Sequence, residues 1–229
     1  MKTRIWIKSA VFLFFIVLCY GLMIKSQKLI PINAKTYSNK TVIIDAGHGI
    51  PDNGASSPEG IKENEINLKI SKKLKKLLAK SKIRVIMTRK DLYSLSDSKS
   101  NNKREDLKKR TEIRDTKRAD LFLSIHLNHF SDPKYSGAQV FYNDSNYESR
   151  LLAETIQKNL KALLNPDNKR QAMVSNDIFI LKSSKKPSIL VECGFLSNPD
   201  EAKLLSDEKY QEKIAKALYT GICEYLSKQ

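Results

Sequence analysis

From Val42 onward, short apolar runs of strand length alternate with amphipathic stretches of helical period, and this alternation limits the fold more than any other property of the chain. Thr41–Ala46, Ile83–Met87, Asp120–Ile125, Gly137–Tyr142, Ile178–Leu181 and Ser188–Glu192 read as strands. Between them, Ile66, Ile70, Leu74, Leu77 and Leu78 recur at helical spacing and predict a helix over Glu63–Lys80. Further helices are predicted over Arg104–Arg118, Glu148–Leu164 (stopped near Pro166) and Tyr210–Leu226, with a polar loop over Asp91–Lys103. Strands that alternate with helices are joined by crossovers. The expected class is therefore α/β: a single domain with a mostly parallel, twisted sheet and helices on both faces.

The 229 residues suffice for one such domain and an appendage, and 41% apolar content suits a packed core. The appendage is N-terminal. Lys2, Arg4 and Lys8 precede an uncharged apolar run from Ala10 to Ile24. Counted from Ile5, with Lys8 reaching to the interface, that run holds about 20 residues, enough to span a bilayer. No small-residue cleavage site directly follows it, and Cys19 lacks the small residues of a lipoprotein box. Residues 1–27 are thus expected to be a signal-anchor or signal peptide, 28–40 a linker and 41–229 the body. Either form of the segment exports the body.

The formal charge of +16 draws such a surface toward polyanions. A lysine-rich proteome gives the same balance without any such partner. Basic clusters lack interleaved aromatics, and no helix-turn-helix or zinc-finger spacing occurs, so nucleic acid is not expected. Three scattered cysteines with no C-x-x-C exclude a disulfide framework or zinc knuckle.

Two of the three histidines lie at strand ends. His48 sits in a glycine-flanked turn after Thr41–Ala46, and His126 follows Asp120–Ile125. A strand end brings a side chain to a fixed point on the sheet rim, and two imidazoles with a carboxylate between them make a catalytic zinc pattern. Glu63, at the start of its helix, is a fitting carboxylate, but Glu59 and Glu65 compete on sequence alone. A first-turn glutamate can equally answer the helix dipole. Glu192 closes the last strand. His129 reads as a loop or cleft-rim residue.

The ordered blocks His48-Gly49, Asp52-Asn53-Gly54-Ala55, Gly60, Glu63, Asn67-Leu68, Thr88-Arg89, Arg110-Thr111, Ala119 through Asn128 and Val191 through Asn198 resemble the zinc-dependent N-acetylmuramoyl-L-alanine amidases of the amidase 3 family. The likeness runs from about Val42 to Leu226. By position it implies Zn2+ held by His48, Glu63 and His126, with Glu192 as the catalytic acid–base. Ile50 stands where a second glycine is usual, and Asn64 where lysine is frequent; neither removes a ligand. Arg110 and Asn128 are candidate substrate contacts, Arg110 because a guanidinium fork fits a carboxylate; a structural arginine on a helix face is the other reading.

Within the family the chain is most similar to the germination-specific spore-cortex type, through Ser124–Asn128, Ser136–Tyr142, its small size and the lack of wall-binding repeats. The implied reaction removes the stem peptide from muramic acid, ahead of muramic lactam formation in cortex maturation. The implied substrate is peptidoglycan; the basic surface suits anionic membrane or wall polymers, and the sequence leaves open whether an accessory protein activates the enzyme or loads its metal. The implied location is extracytoplasmic, on the forespore or cortex side. Competing readings are a zinc peptidase cutting within the stem peptide and a non-catalytic, membrane-anchored wall-binding protein.

Overall fold

Strand β1 (Thr41–Ala46) is buried along its whole length, as a strand with a neighbour on each edge and cover on both faces must be. It pairs in parallel with β2 (Arg84–Met87) and β3 (Leu121–Asn128), and β3 pairs in parallel with β6 (Ser188–Phe195). On the far side of β6 lies β4 (Gln139–Tyr142), antiparallel to it, and then the two-residue β5 (Met173–Val174), parallel to β4. The six strands run in the order β2-β1-β3-β6-β4-β5. These strands belong to a computed structural model that describes residues 37–96 and 102–229, all within one compact unit. The expected N-terminal anchor lies outside the described residues. Among the described residues, no helix is long and apolar enough to cross a membrane.

Helices α1 (Glu63–Lys80), α3 (Tyr147–Leu164) and α5 (Glu208–Leu226) cover one sheet face. Their apolar stripes (Ile70, Leu74 and Leu78; Leu152 and Ile156; Ile214 and Leu218) meet Val42, Ile44, Leu121, Leu123, Val140 and Val191 in the main core. The alternate strand positions, Ile43, Phe122 and Leu190, form a smaller core on the opposite face. Ile113 of α2 (Lys103–Thr116) and the 3-10 turn Phe179–Leu181 cover it. The sheet is therefore mostly parallel, with helices on both faces, and the antiparallel β4 makes it mixed.

The structure corrects two expectations and adds two short elements that the sequence pattern did not mark. Ile178–Leu181 is not a strand: its apolar residues cap the smaller core from a 3-10 turn, where Ile180 and Leu181 are buried and Phe179 is exposed. A short apolar run fits either environment equally well by pattern. Strand β5 carries no alternation over its two residues. Helix α4 (Pro199–Ser206) is brief, and its start is marked by Asn198, whose side chain accepts from the Glu201 amide, with Pro199 in its first turn. His126 and Glu192 also sit within β3 and β6 rather than at their final residues.

Candidate active site

The fold brings His48, Glu63 and His126 together at the C-terminal ends of β1 and β3. In β3, Leu123, Ile125 and Leu127 face the main core, so His126 points to the opposite face. His126 and Glu192 are register partners on adjacent strands, which puts both side chains on that face. Gly47 makes room for the cluster, since a Cβ there would stand 2.3 Å from the His126 imidazole.

Glu63 is fixed by an unusual helix start. Lys62, the N-cap of α1, makes no side-chain cap. Instead the amides of Glu63 and Asn64 donate to the carbonyls of Ala55 and Asn53, at 3.0 and 3.1 Å. The preceding loop thus satisfies helix-end donors that would otherwise be orphaned. The Glu63 carboxylate is then held on both oxygens. Oε2 accepts from the Ala55 amide at 2.8 Å. Oε1 accepts from the Leu127 amide at 3.1 Å and from Asn67 Nδ2 at 3.3 Å. The same Oε1 lies 3.2 Å from His48 Nε2 and 3.0 Å from His126 Nδ1. His48 Nδ1 faces Asp52 Oδ2 at 2.8 Å, the second contact by which a carboxylate commonly orients a metal-binding imidazole.

One ligand atom from each of His48, Glu63 and His126 lies within 4.8 Å of the others. Two imidazoles and a carboxylate form the donor set of open, catalytic sites for a divalent cation, and the crowding of these atoms fits one. Burial opposes charge on His48, but its contacts with Asp52 and Glu63 outweigh that and push its pKa up to about 9. Burial opposes ionisation of Glu63 too, and the two imidazoles hold it well below the usual carboxylate range. A charge-rich cluster of this kind is ready to exchange protons for a cation.

Glu192 has a different environment. Its Oε2 is buried and makes no hydrogen bond among the described residues. Burial, opposed by His126 and reinforced by Glu63, pushes its pKa up to about 7. An acid tuned to that range and left with a free oxygen can both take and return a proton near neutral pH.

The open side of the cluster is a cleft of about 190 Å³, bordered by Asp52 and Lys103, by Leu107 of α2 and by Ile178 and Phe179 of the 3-10 turn. The 3-10 turn and the Ile178 that precedes it thus form an apolar wall of the cleft. A larger hollow of about 550 Å³ between α3 and residues 166–172 holds none of these ligating groups.

The other candidates divide. Arg110 is 1% exposed and donates to Asp45, to Asp106 and to the carbonyls of Ala46 and His48. Arg110 also lines the cleft beside the cluster. Asn128, at the end of β3, accepts from the His129 amide through Oδ1, and His129 is exposed. Glu65 and Glu59 are not part of the ligating cluster. Sequence reasoning gave no role to Asp52, Asn67 or Asp45. Asp52 stands four residues after His48, within the quoted Asp52–Ala55 block, and that spacing was the available signal. Asn67 stands four residues after Glu63 on the same helix face, a spacing that was also available, whereas Asp45 acts through contacts distant in sequence and left no local sign.

A family model described as N-acetylmuramoyl-L-alanine amidase (Amidase_3) matches residues 42–224. The germination-specific N-acetylmuramoyl-L-alanine amidase of Bacillus subtilis is 36% identical over 196 residues, covering 84% of this chain and 82% of that protein. The CwlD amidase from Clostridioides difficile, solved in complex with the GerS lipoprotein, is 46% identical with a TM-score of 0.81, covering 83% of this chain and 100% of that one. An N-acetylmuramoyl-L-alanine amidase from Clostridium difficile 630 is 32% identical with a TM-score of 0.74, over 83% of this chain and 98% of that one. With nearly all of its body matched and the ligating cluster in place, the chain belongs to the N-acetylmuramoyl-L-alanine amidases.

Proposed function

We propose that the protein is a zinc-dependent amidase that hydrolyses the bond between N-acetylmuramic acid and the L-alanine of peptidoglycan stem peptides, and that it serves spore-cortex maturation. The observation that carries the chemistry is the pairing of a compact His48–Glu63–His126 cluster with a buried, unpartnered Glu192 oxygen on the same sheet face. His48, Glu63 and His126 would hold the ion. When bound there, zinc supplies Lewis acidity toward the amide carbonyl and toward water.

The chain's own residues do the rest. Asp52 orients His48, and Asn67 with the amides of Ala55 and Leu127 keeps the Glu63 carboxylate from swinging away. Glu192 accepts a proton from the attacking water and returns it to the alanine nitrogen as the C–N bond breaks. The products are the free lactyl carboxylate and the peptide's new amine. Proton transfer by a placed carboxyl contributes about 10²–10⁴-fold. The cleft wall of Leu107, Ile178 and Phe179 would offer an apolar side to the scissile amide.

The cortex role rests on similarity to the germination-specific relative. The relative solved with a lipoprotein supports an accessory protein partner for this chain as well. Residues 1–27 acting as an export segment, 28–40 as a tether and 41–229 as the catalytic body would place the reaction outside the cytoplasm. Exposed lysines on the outer faces of α1 (Lys69, Lys72, Lys76) and α5 (Lys209, Lys213, Lys216) offer a surface for anionic wall or membrane polymers.

The test is mass spectrometry of muropeptides after incubation of cortex peptidoglycan with the full-length, zinc-loaded protein and its accessory partner. Peptide-free muramic acid is the expected product. Cuts inside the stem peptide, with L-alanine still attached to muramic acid, would overturn the proposal.

A further inference from the structure

The turn that carries His48 is gripped from behind by two buried guanidinium groups. His48 has a left-handed backbone, with φ 59°, which a side-chain-bearing residue keeps only where its surroundings over-determine it. Arg110 Nη2 donates to the His48 carbonyl at 2.6 Å and its Nη1 to the Ala46 carbonyl at 2.7 Å. Arg89, two residues past β2, donates through Nε to the Ala46 carbonyl at 2.8 Å and through Nη2 to the Gly47 carbonyl at 3.0 Å. Three consecutive carbonyls leading into the first candidate ligand therefore each accept from an arginine.

The same two side chains reach the other ligand-bearing elements. Arg89 Nη2 also donates to the carbonyl of Asn64 at 2.7 Å, the residue after Glu63, and so ties the His48 turn to the first turn of α1. Arg110 Nη1 pairs with Asp45 Oδ1 at 2.7 Å, and Asp45 Oδ2 accepts from Ser124 Oγ at 2.6 Å. Ser124 lies two residues before His126 on β3. Asp106 holds the remaining side of Arg110, at 2.7 Å from Nε. Each guanidinium spans several acceptors at once, which a lysine ammonium on its single point cannot do.

We propose that Arg89 and Arg110 are positioning residues for the amidase reaction. They act through the backbone of residues 46–48 and 64, setting the three ligands in place before the cation arrives, rather than by contact with substrate. The proposal rests on the reading of His48, Glu63 and His126 as the metal ligands.

The experiment compares the full-length protein with Arg89→Lys, Arg110→Lys and His48→Ala, measuring zinc affinity by competition with a chromophoric chelator. The same proteins are assayed for kcat and KM at saturating zinc, with circular dichroism to check the fold. Both lysine variants are expected to bind zinc about 10–100-fold more weakly, as for other groups that orient ligands, and to lose kcat with KM unchanged. Arg89 contacts only carbonyl oxygens, so its replacement strands no buried carboxylate and decides the matter should Arg110→Lys fail to fold. Folded variants with wild-type zinc affinity and kcat would overturn the proposal. So would a raised KM with zinc affinity and kcat intact, which is the signature of a substrate contact. A His48→Ala protein that keeps wild-type zinc affinity would instead sink the metal-site reading, whatever the arginine variants do.

Discussion

Glu192 is the residue whose environment makes the sharpest statement about pH. In the absence of a cation it ionises near pH 7 because its carboxylate is deprived of water. A divalent ion seated beside His126 favours the charged form and draws the pKa down. Only the ionised form can take a proton from water, so activity should fall as pH drops, with the acidic limb of kcat at or below about 7. Glu192→Gln should remove that limb along with about 10²–10⁴-fold of the rate while leaving zinc bound; a retained limb would assign it to another group. Gly47 gives a second residue-level prediction. The methyl of Gly47→Ala would stand 2.3 Å from the His126 ring, so His126 must move. Zinc affinity should fall on the order of 10–100-fold, with little change in the far-UV spectrum, and chelator competition checks it.

The residues that sequence made visible share a property: His48, His126 and Glu192 each sit beside an apolar run whose burial fixes where they go. Glu63 was ambiguous because Glu59 and Glu65 share its local pattern. What separates it is the tie between residues 53–55 and the start of α1, a contact no local pattern encodes. Arg110 stood out as a cation with an open choice of role; it borders the cleft, and its guanidinium donates to Asp45, Asp106 and two carbonyls.

At the scale of elements, periodicity served well where it ran long. Helices α1, α3 and α5 each carry an apolar stripe over about five turns, and all three were legible. It failed at 178–181, where the apolar residues answer to the smaller core from a turn, and at α4, which is too short to show a period. Helix α4 depends on its cap instead. Asn198 accepts from the Glu201 amide at 2.9 Å, and Glu201 in turn accepts from the amides of Gly137 and Phe195. Asn198→Ala should therefore cost about 1 kcal/mol, read as a lower midpoint in urea unfolding at unchanged slope. Loss of activity without loss of stability would show that the segment serves the site rather than the fold.

At the scale of the molecule, the sheet separates two kinds of surface. The cleft lies on the side of the smaller core, with Glu63 reaching the cluster from the start of α1, whereas the exposed lysines of α1 and α5 lie outside the main core, on the other side. Holding an anionic polymer and cutting peptidoglycan should then be separable. Replacing Lys69, Lys72 and Lys76 with Gln should weaken co-sedimentation with an anionic wall polymer and flatten its salt dependence, since such contacts are screened over about 8 Å at physiological ionic strength. Hydrolysis of soluble muropeptides should stay at the wild-type rate.

Strand order carries a last consequence. The final strand of the chain, β6, occupies an interior position between β3 and β4, and it brings Glu192 with it. The sheet therefore cannot close until residues 188–195 have been made. A fragment cut off ahead of Ser188 lacks both an interior strand of the sheet and Glu192. If Glu192 carries the proton as proposed, the topology makes the activity depend on a closed sheet, and a chain truncated before β6 should show no hydrolysis of peptidoglycan.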